Sequence, residues 1–118
     1  GEVEVLTDSS SAAGAEIFAA AISENGRGKT VGVTTFGKAV VQKFVTLPSE
    51  GGLNVTVGHY TTPKEKPILS AGLRPDVPVE LIASVVKEEL NPKSAPPDVI
   101  LDKALELFGE KKAMKAAA

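Results

Sequence analysis

Three groups of side chains in this sequence have types and spacings suited to polar chemistry: the hydroxyl run Ser9-Ser10-Ser11, the pair Lys38 and Gln42, and His59. The hydroxyls stand between an apolar β-type run and an alanine-rich segment, where a strand should turn into a helix. Such a turn is a good place for a nucleophile, because backbone N–H groups and the positive end of the helix dipole face the space where an oxyanion would develop. Lys38 and Gln42 fall on one predicted strand, where the plain reading is a surface lysine and a surface amide. A Ser-His-Asp triad within this chain would have to use His59, the only histidine. Its place at the end of a predicted strand favours a surface or hydrogen-bonded structural role, and without spaced Cys or His partners it makes a poor zinc ligand. Phosphate binding by a glycine loop is excluded: Gly28 and Gly32 have the wrong spacing, and Gly37-Lys38-Ala39 lacks the final Ser or Thr.

The elements that must position these groups follow from periodicity and turn chemistry. Val3-Glu4-Val5-Leu6 reads as a strand, and Thr7 to Ser11 offers several N-caps. A helix is predicted from near Ala12 to Glu24, with Ile17, Ala20, Ala21 and Ile22 on its apolar face and Asn25-Gly26 as its stop. Thr30 to Thr34 reads as the next strand. Ala39 to Leu47 and Leu53 to Tyr60 read as a hairpin around the turn Pro48 to Gly52. In a regular strand the even-numbered residues from Lys38 to Phe44 share a face, which puts Lys38 and Gln42 on one side. Their backbones would stand ~13 Å apart, close enough for two long side chains to converge, and Gly37 permits a bend toward the helix start. Thr61 to Pro67 is loop, and Arg74-Pro75-Asp76 opens a turn. Pro78 fits the first turn of a helix from Val79 to about Leu90, with residues 91–97 as a linker. Asp98 should cap a final helix carrying Ile100, Leu101, Ala104, Leu105 and Phe108 on one stripe.

Composition narrows the class. With 118 residues, 42% of them hydrophobic, the chain is long enough for one core, and one domain is the default. A net charge of -2 with interleaved signs leaves no electrostatic footprint for nucleic acid or an anionic membrane, so neither is expected as a partner. Without cysteine there is no disulfide framework and no thiolate metal site. No apolar run approaches the ~20 residues of a membrane span, and no signal peptide is visible.

Several stretches carry a more specific likeness. Ser11-Ala12-Ala13-Gly14-Ala15-Glu16-Ile17 resembles the Ser-Ala-Ser-Ala-Ser-Glu-Ile segment of the C-terminal processing peptidases, or tail-specific proteases. Thr35-Phe36-Gly37-Lys38-Ala39-Val40-Val41-Gln42 resembles their Thr-Phe-Gly-Lys-Gly-x-Val-Gln element, and Tyr60-Thr61-Thr62-Pro63 and Gly72-Leu73-Arg74-Pro75-Asp76 resemble two later ones. The likeness covers roughly residues 3 to 76. It implies a mixed α/β fold of the ClpP/crotonase type, with residues 1–76 as a partial catalytic core and 77–118 as C-terminal helices packing on it. It also implies a serine endopeptidase with a Ser-Lys mechanism and an acyl-enzyme, acting on the C-termini of polypeptides without a cofactor or metal. Members are usually periplasmic, lumenal or secreted, which makes an extracytoplasmic site the expectation here.

Residue by residue, the resemblance makes Lys38 the general base, Gln42 its assisting group, and the N–H of Gly14 an oxyanion donor. As a neutral base Lys38 should sit buried among apolar groups such as Phe36 and Val40. The nucleophile's serine falls at position 13, where this chain has Ala13. Ser11 matches the first serine of the family run rather than the nucleophile. An altered serine and a naturally inactive homologue both account for Ala13, and the chain should be inactive as it stands. The alternative function is a non-catalytic module that binds peptides. A peptide-binding PDZ module and an Asp-Leu-Arg-x-Asn-Pro-Gly-Gly element, which precede the nucleophile in the family, are also absent here. The expected partners are therefore the missing upstream segment or another chain of the same protein, with a homo-oligomer possible.

Overall fold

A computed structural model describes residues 1–48, 50–81 and 98–117 of the 118-residue chain. It opens with a β–α–β unit: β1 (Glu4–Thr7), α1 (Gly14–Glu24) and β2 (Lys29–Gly32). β1 and β2 are parallel, in register from Glu4 opposite Lys29 to Thr7 opposite Gly32. Parallel neighbours need a crossover, and α1 supplies it. Thr30, Val31 and Gly32 are all buried, as befits a central strand on which both helices pack. Gly32 comes so close to the Thr7 carbonyl that a Cβ could not be accommodated.

α1 is held by small residues and by polar groups at both ends. Ala19 and Ala20 are fully buried, which lets the helix axis lie close to the sheet, while Phe18 is 57% exposed. One helical stripe thus runs Glu16, Ala19, Ala20 and Ser23, at the i, i+3, i+4, i+7 spacing of a packed face. The apolar face expected from Ile17, Ala21 and Ile22 is only half-buried. At the helix's C-terminal end the Ser23 hydroxyl donates to Asp76 Oδ2 (2.8 Å). The same oxygen accepts the Thr30 N–H (2.8 Å) and hydroxyl (2.9 Å), and the Asp76 N–H returns a bond to Thr30 Oγ1 (2.9 Å). Partial burial raises the Asp76 pKa, but the Thr30 N–H, the Ser23 and Thr30 hydroxyls and nearby Lys29 outweigh it and hold the carboxyl below its usual range.

The third strand departs from expectation. Residues 79–81 are not helical. Instead β5 (Val77–Pro78) pairs in parallel with β2, Val31 opposite Val77, giving the sheet order β1-β2-β5. The Val79 N–H donates to the Gly32 carbonyl (2.7 Å), so the sheet takes the backbone group that a helix starting there would have left free. Pro78 is tolerated because β5 is an edge strand among the described residues. The rest of the expected helix, from 82, and the linker at 91–97 lie outside the described residues.

Between these pieces stands the hairpin of β3 (Val40–Thr46) and β4 (Gly52–His59), antiparallel with Thr46 opposite Gly52. Its register shifts between Val41 and Gln42, where pairing passes over Val57. Among the described elements nothing packs on this hairpin. Beyond the half-buried Val40 and Val41 its apolar side chains are bare: Phe44 is 64% and Val57 59% exposed.

The final helix, α2 (Val99–Ala117), packs on β1 and β2. Asp98 caps it as expected, accepting the Leu101 N–H (3.0 Å). Its inward face is narrower than the predicted stripe: Ala104 is buried and Ile100, Leu107 and Phe108 are half-buried, whereas Leu101 and Leu105 face out.

Candidate active site

The start of α1 is built differently from the expected hydroxyl cap. The helix begins at Gly14, and the cap position is Ala13, with φ 53° and ψ -116°. That conformation is sparsely populated for any residue with a Cβ and costs on the order of 1–3 kcal/mol. Thr7 to Ser11 do other work. Asp8 Oδ1 accepts from the N–H groups of Ser10 (3.0 Å) and Ser11 (2.7 Å) and from both their hydroxyls (2.8 Å each). The Ser11 and Ser10 hydroxyl bonds hold the Asp8 pKa below the ordinary value. The Ser11 hydroxyl is thus turned back on Asp8, away from the role of nucleophile. Gly14 is the first helical residue, so its N–H has no acceptor within the helix. It is exposed, and a Cβ added there would meet nothing within 4 Å, which leaves room for a ligand carbonyl to approach.

The centre of the site is Glu16, fully buried at the third position of α1. Its Oε2 accepts the N–H of Ala13 (2.9 Å) and the N–H of Lys38 (3.0 Å). Its Oε1 accepts the Gly37 N–H (2.7 Å) and the Thr35 hydroxyl. An ionised carboxylate is an acceptor only, and here four donors converge on it. The capping-box spacing is therefore half used: Glu16 reaches back to the Ala13 N–H, but the Ala13 side chain has no atom with which to reciprocate. Because the N–H groups of Ala13 and Lys38 share one oxygen, their nitrogens lie no farther apart than the sum of those two bonds.

The loop that carries Lys38 is clamped on its other side as well. Thr35 exchanges bonds with Leu73 through its N–H (3.2 Å to the carbonyl) and its Oγ1, which accepts the Leu73 N–H (2.7 Å). The Gly37 carbonyl accepts the Ser70 N–H (2.9 Å), and the Phe36 N–H donates to the Ser11 carbonyl (2.9 Å). Gly37 has φ +86°, and a Cβ there would stand 2.8 Å from the Gly72 nitrogen, so only glycine fits.

The structure brings the backbones of position 13 and Lys38 together, but not in the manner expected for the side chains. Lys38 is exposed rather than buried, and Phe36 is itself 64% exposed. No described element covers the hairpin that begins at Val40, so nothing on that side withdraws the lysine from water. Lys38 lies before β3, and the register shift comes just ahead of Gln42, so the regular alternation assumed for the two is not realised. Gln42 is exposed opposite Thr56, and His59 is exposed at the end of β4 opposite Val40. Sequence reasoning missed Glu16 and Thr35 as connecting groups. The signal was an acid on the one face of α1 that also carries Ala19 and Ala20. Among the described residues no group of three or more His, Asp or Glu side chains could hold a metal ion, and no helix is long and apolar enough to cross a membrane.

Comparison with known proteins gives this geometry its context. The family model described as peptidase family S41 matches residues 1–79. A carboxyl-terminal-processing protease of Picosynechococcus is 42% identical over 80 residues, covering 66% of this chain and 19% of that protein. The chloroplastic C-terminal processing peptidase of Tetradesmus obliquus is 37% identical over 76 residues, covering 64% of this chain and 16% of its own length. The solved structure of a photosystem II D1 C-terminal processing protease superposes with a TM-score of 0.64 at 35% identity, over 67% of this chain and 20% of that one. The chain thus spans about a fifth of the length of these relatives.

Proposed function

This chain belongs to peptidase family S41, and from that premise we propose that it forms part of the catalytic core of a serine endopeptidase cleaving proteins near their C-termini. We assign residues 1–76 to a partial core of the ClpP/crotonase type and 77–118 to elements that pack on it. The reaction would be amide hydrolysis through an acyl-enzyme. A serine at position 13 attacks the scissile carbonyl carbon, and neutral Lys38 takes the hydroxyl proton and then delivers it to the leaving amine. The N–H of Gly14 holds one side of the oxyanion, and Gln42 orients Lys38. Water then attacks the ester with Lys38 again as base, releasing the new C-terminus. In this chain Ala13 has no hydroxyl, so the sequence stops the reaction at its first step. An extracytoplasmic location and a complementary segment or second chain over the bare hairpin complete the reading.

The observation that supports this most is the single Glu16 oxygen binding both the N–H of position 13 and the N–H of Lys38. It fixes a strained strand-to-helix turn beside the backbone of the lysine, an arrangement useful to a nucleophile and its base. The exposure of Lys38 is met by the same proposal, since burial of the lysine would come from the parts of the relatives that this chain does not span.

Ala13 also favours a second reading, a peptide-binding module without catalysis. The two separate on one substitution. In a full-length chain carrying the whole catalytic domain, Ala13→Ser should create hydrolysis of an unstructured C-terminal peptide. Peptide binding with no turnover after that substitution would select the non-catalytic reading.

A further inference from the structure

We infer that Glu16 is a positioning residue of this site, which holds position 13 and Lys38 in a single geometry by anchoring both backbones to one carboxylate. The inference rests on the Ser-Lys reading for its catalytic consequence, but its structural content is independent of activity. Glu16 is fully buried, and its two oxygens divide the work. Oε2 binds the N–H groups of Ala13 and Lys38, while Oε1 binds the Gly37 N–H and the Thr35 hydroxyl. The Thr35 hydroxyl oxygen also accepts the Leu73 N–H (2.7 Å), which ties Thr35 to a second segment. The carboxylate is therefore faced by donors at both oxygens.

This arrangement makes glutamine an unsuitable substitute despite its matching size. An amide presents one acceptor oxygen and one NH2 group. Whichever way it turns, its NH2 hydrogens meet either the N–H groups of Ala13 and Lys38 or the N–H of Gly37 and the hydroxyl of Thr35. The Thr35 hydroxyl can rotate to accept, but the backbone N–H groups cannot, so one or two of them are left unsatisfied in a buried place, and the cheapest relief is for the 35–38 loop to part from the start of α1. Aspartate is too short to span the same gap. The loop's other anchors, at Leu73, Ser70 and Ser11, hold Thr35, Phe36 and Gly37, so Glu16 is the anchor made directly to Lys38. Glu16 also makes the bond to the Ala13 N–H at the strained cap, where φ is 53°. Loss of the carboxylate should accordingly disturb the spacing of nucleophile and base more than substrate binding.

The test has two arms. In the chain as it stands, amide hydrogen exchange is followed residue by residue in Glu16 and Glu16→Gln forms. Exchange at Ala13, Gly37 and Lys38 should quicken at least tenfold while Val31 in the sheet keeps its rate. Equal rates at those three amides would overturn the inference, and so would an acceleration shared equally by Val31, which marks a role in general stability only. In the full-length chain bearing Ala13→Ser, adding Glu16→Gln should lower kcat about a hundredfold with KM within threefold. A kcat within threefold of the Ala13→Ser enzyme would overturn it. If Glu16→Gln does not fold, Thr35→Val removes one donor to Oε1, and with it the acceptor of the Leu73 N–H, and leaves the Oε2 pair. A fall of about tenfold in kcat at unchanged KM supports the inference, and an unchanged kcat refutes it. If Ala13→Ser gives no activity at all, the Ser-Lys reading fails, and the exchange arm still decides what Glu16 does.

Discussion

Removing the Asp76 carboxylate should unlock the far end of α1, and the cost can be worked from the bonds it makes. Asp76 Oδ2 accepts three of them: the Thr30 N–H, the Thr30 hydroxyl and the Ser23 hydroxyl. In Asp76→Ala the two hydroxyls can turn, and Thr30 Oγ1 keeps the bond from the Asp76 backbone N–H. The Thr30 N–H cannot turn. Thr30 is 1% exposed, so its N–H is left buried without a partner. An unsatisfied buried donor costs about 1–3 kcal/mol, which with the lost charge-assisted bonds gives roughly 2–3 kcal/mol overall. For a domain of this size that lowers the melting temperature by roughly 10 °C. Asp76→Asn can place its carbonyl oxygen where Oδ2 stands, so it should cost only about 1 kcal/mol. The native chain and Asp76→Asn also differ in their response to acid. The folded Asp76 pKa lies below the ordinary aspartate value of 3.8. Its stabilising contribution is therefore complete above that value and is lost as pH falls through the folded pKa. The gap between the native chain and Asp76→Asn should close below about pH 4. Thermal and urea unfolding at pH 7 and pH 3 would measure this. A cost under about 0.5 kcal/mol for Asp76→Ala, or a gap to Asp76→Asn that stays constant into acid, would refute the reasoning.

Three further outcomes follow from single positions. Gly37→Ala should destabilise by about 2 kcal/mol or more, since its Cβ must displace the Gly72 backbone at φ +86°; unchanged urea unfolding would contradict the close packing described. Ala13→Gly should stabilise by about 1 kcal/mol by relieving φ 53°, ψ -116°, and a loss of stability there would show that the turn carries no strain. The bare β3–β4 hairpin should drive association, so sedimentation should show concentration-dependent oligomers that Val57→Lys reduces, whereas a monomer at all concentrations would count against it.

The regular elements were legible because their signals are local. Strand–helix–strand and the hairpin follow from periodicity, the alanine-rich run, the Pro48 to Gly52 turn and the Asp98 cap, and the structure forms each of them. Misreadings fell where a long-range partner outweighed a local preference. Pro78 favours the first turn of a helix, but the Gly32 carbonyl takes the Val79 N–H and draws Val77–Pro78 into the sheet. The hydroxyls before α1 are good caps by type, yet Asp8 gathers two of them and leaves Ala13 at the helix start. The place of Glu16 three residues after position 13 is visible because spacing along a helix is local, whereas its bonds to Thr35, Gly37 and Lys38 depend on how a distant loop folds back. The motif around Lys38 placed the lysine by resemblance but carried no information about its burial. That depends on what covers the hairpin.

The central claim, that position 13 and Lys38 form a nucleophile and its base, is tested most directly by the initial rate of peptide hydrolysis in a full-length chain. Ala13→Ser should confer turnover, and adding Lys38→Ala should remove it by about 10³-fold or more, because a serine hydroxyl without a base is a weak nucleophile. Adding Gln42→Ala should cost less, and adding His59→Ala should leave the rate nearly unchanged, since His59 lies exposed at the end of β4. An Ala13→Ser enzyme that tolerated Lys38→Ala but needed His59 would contradict the account.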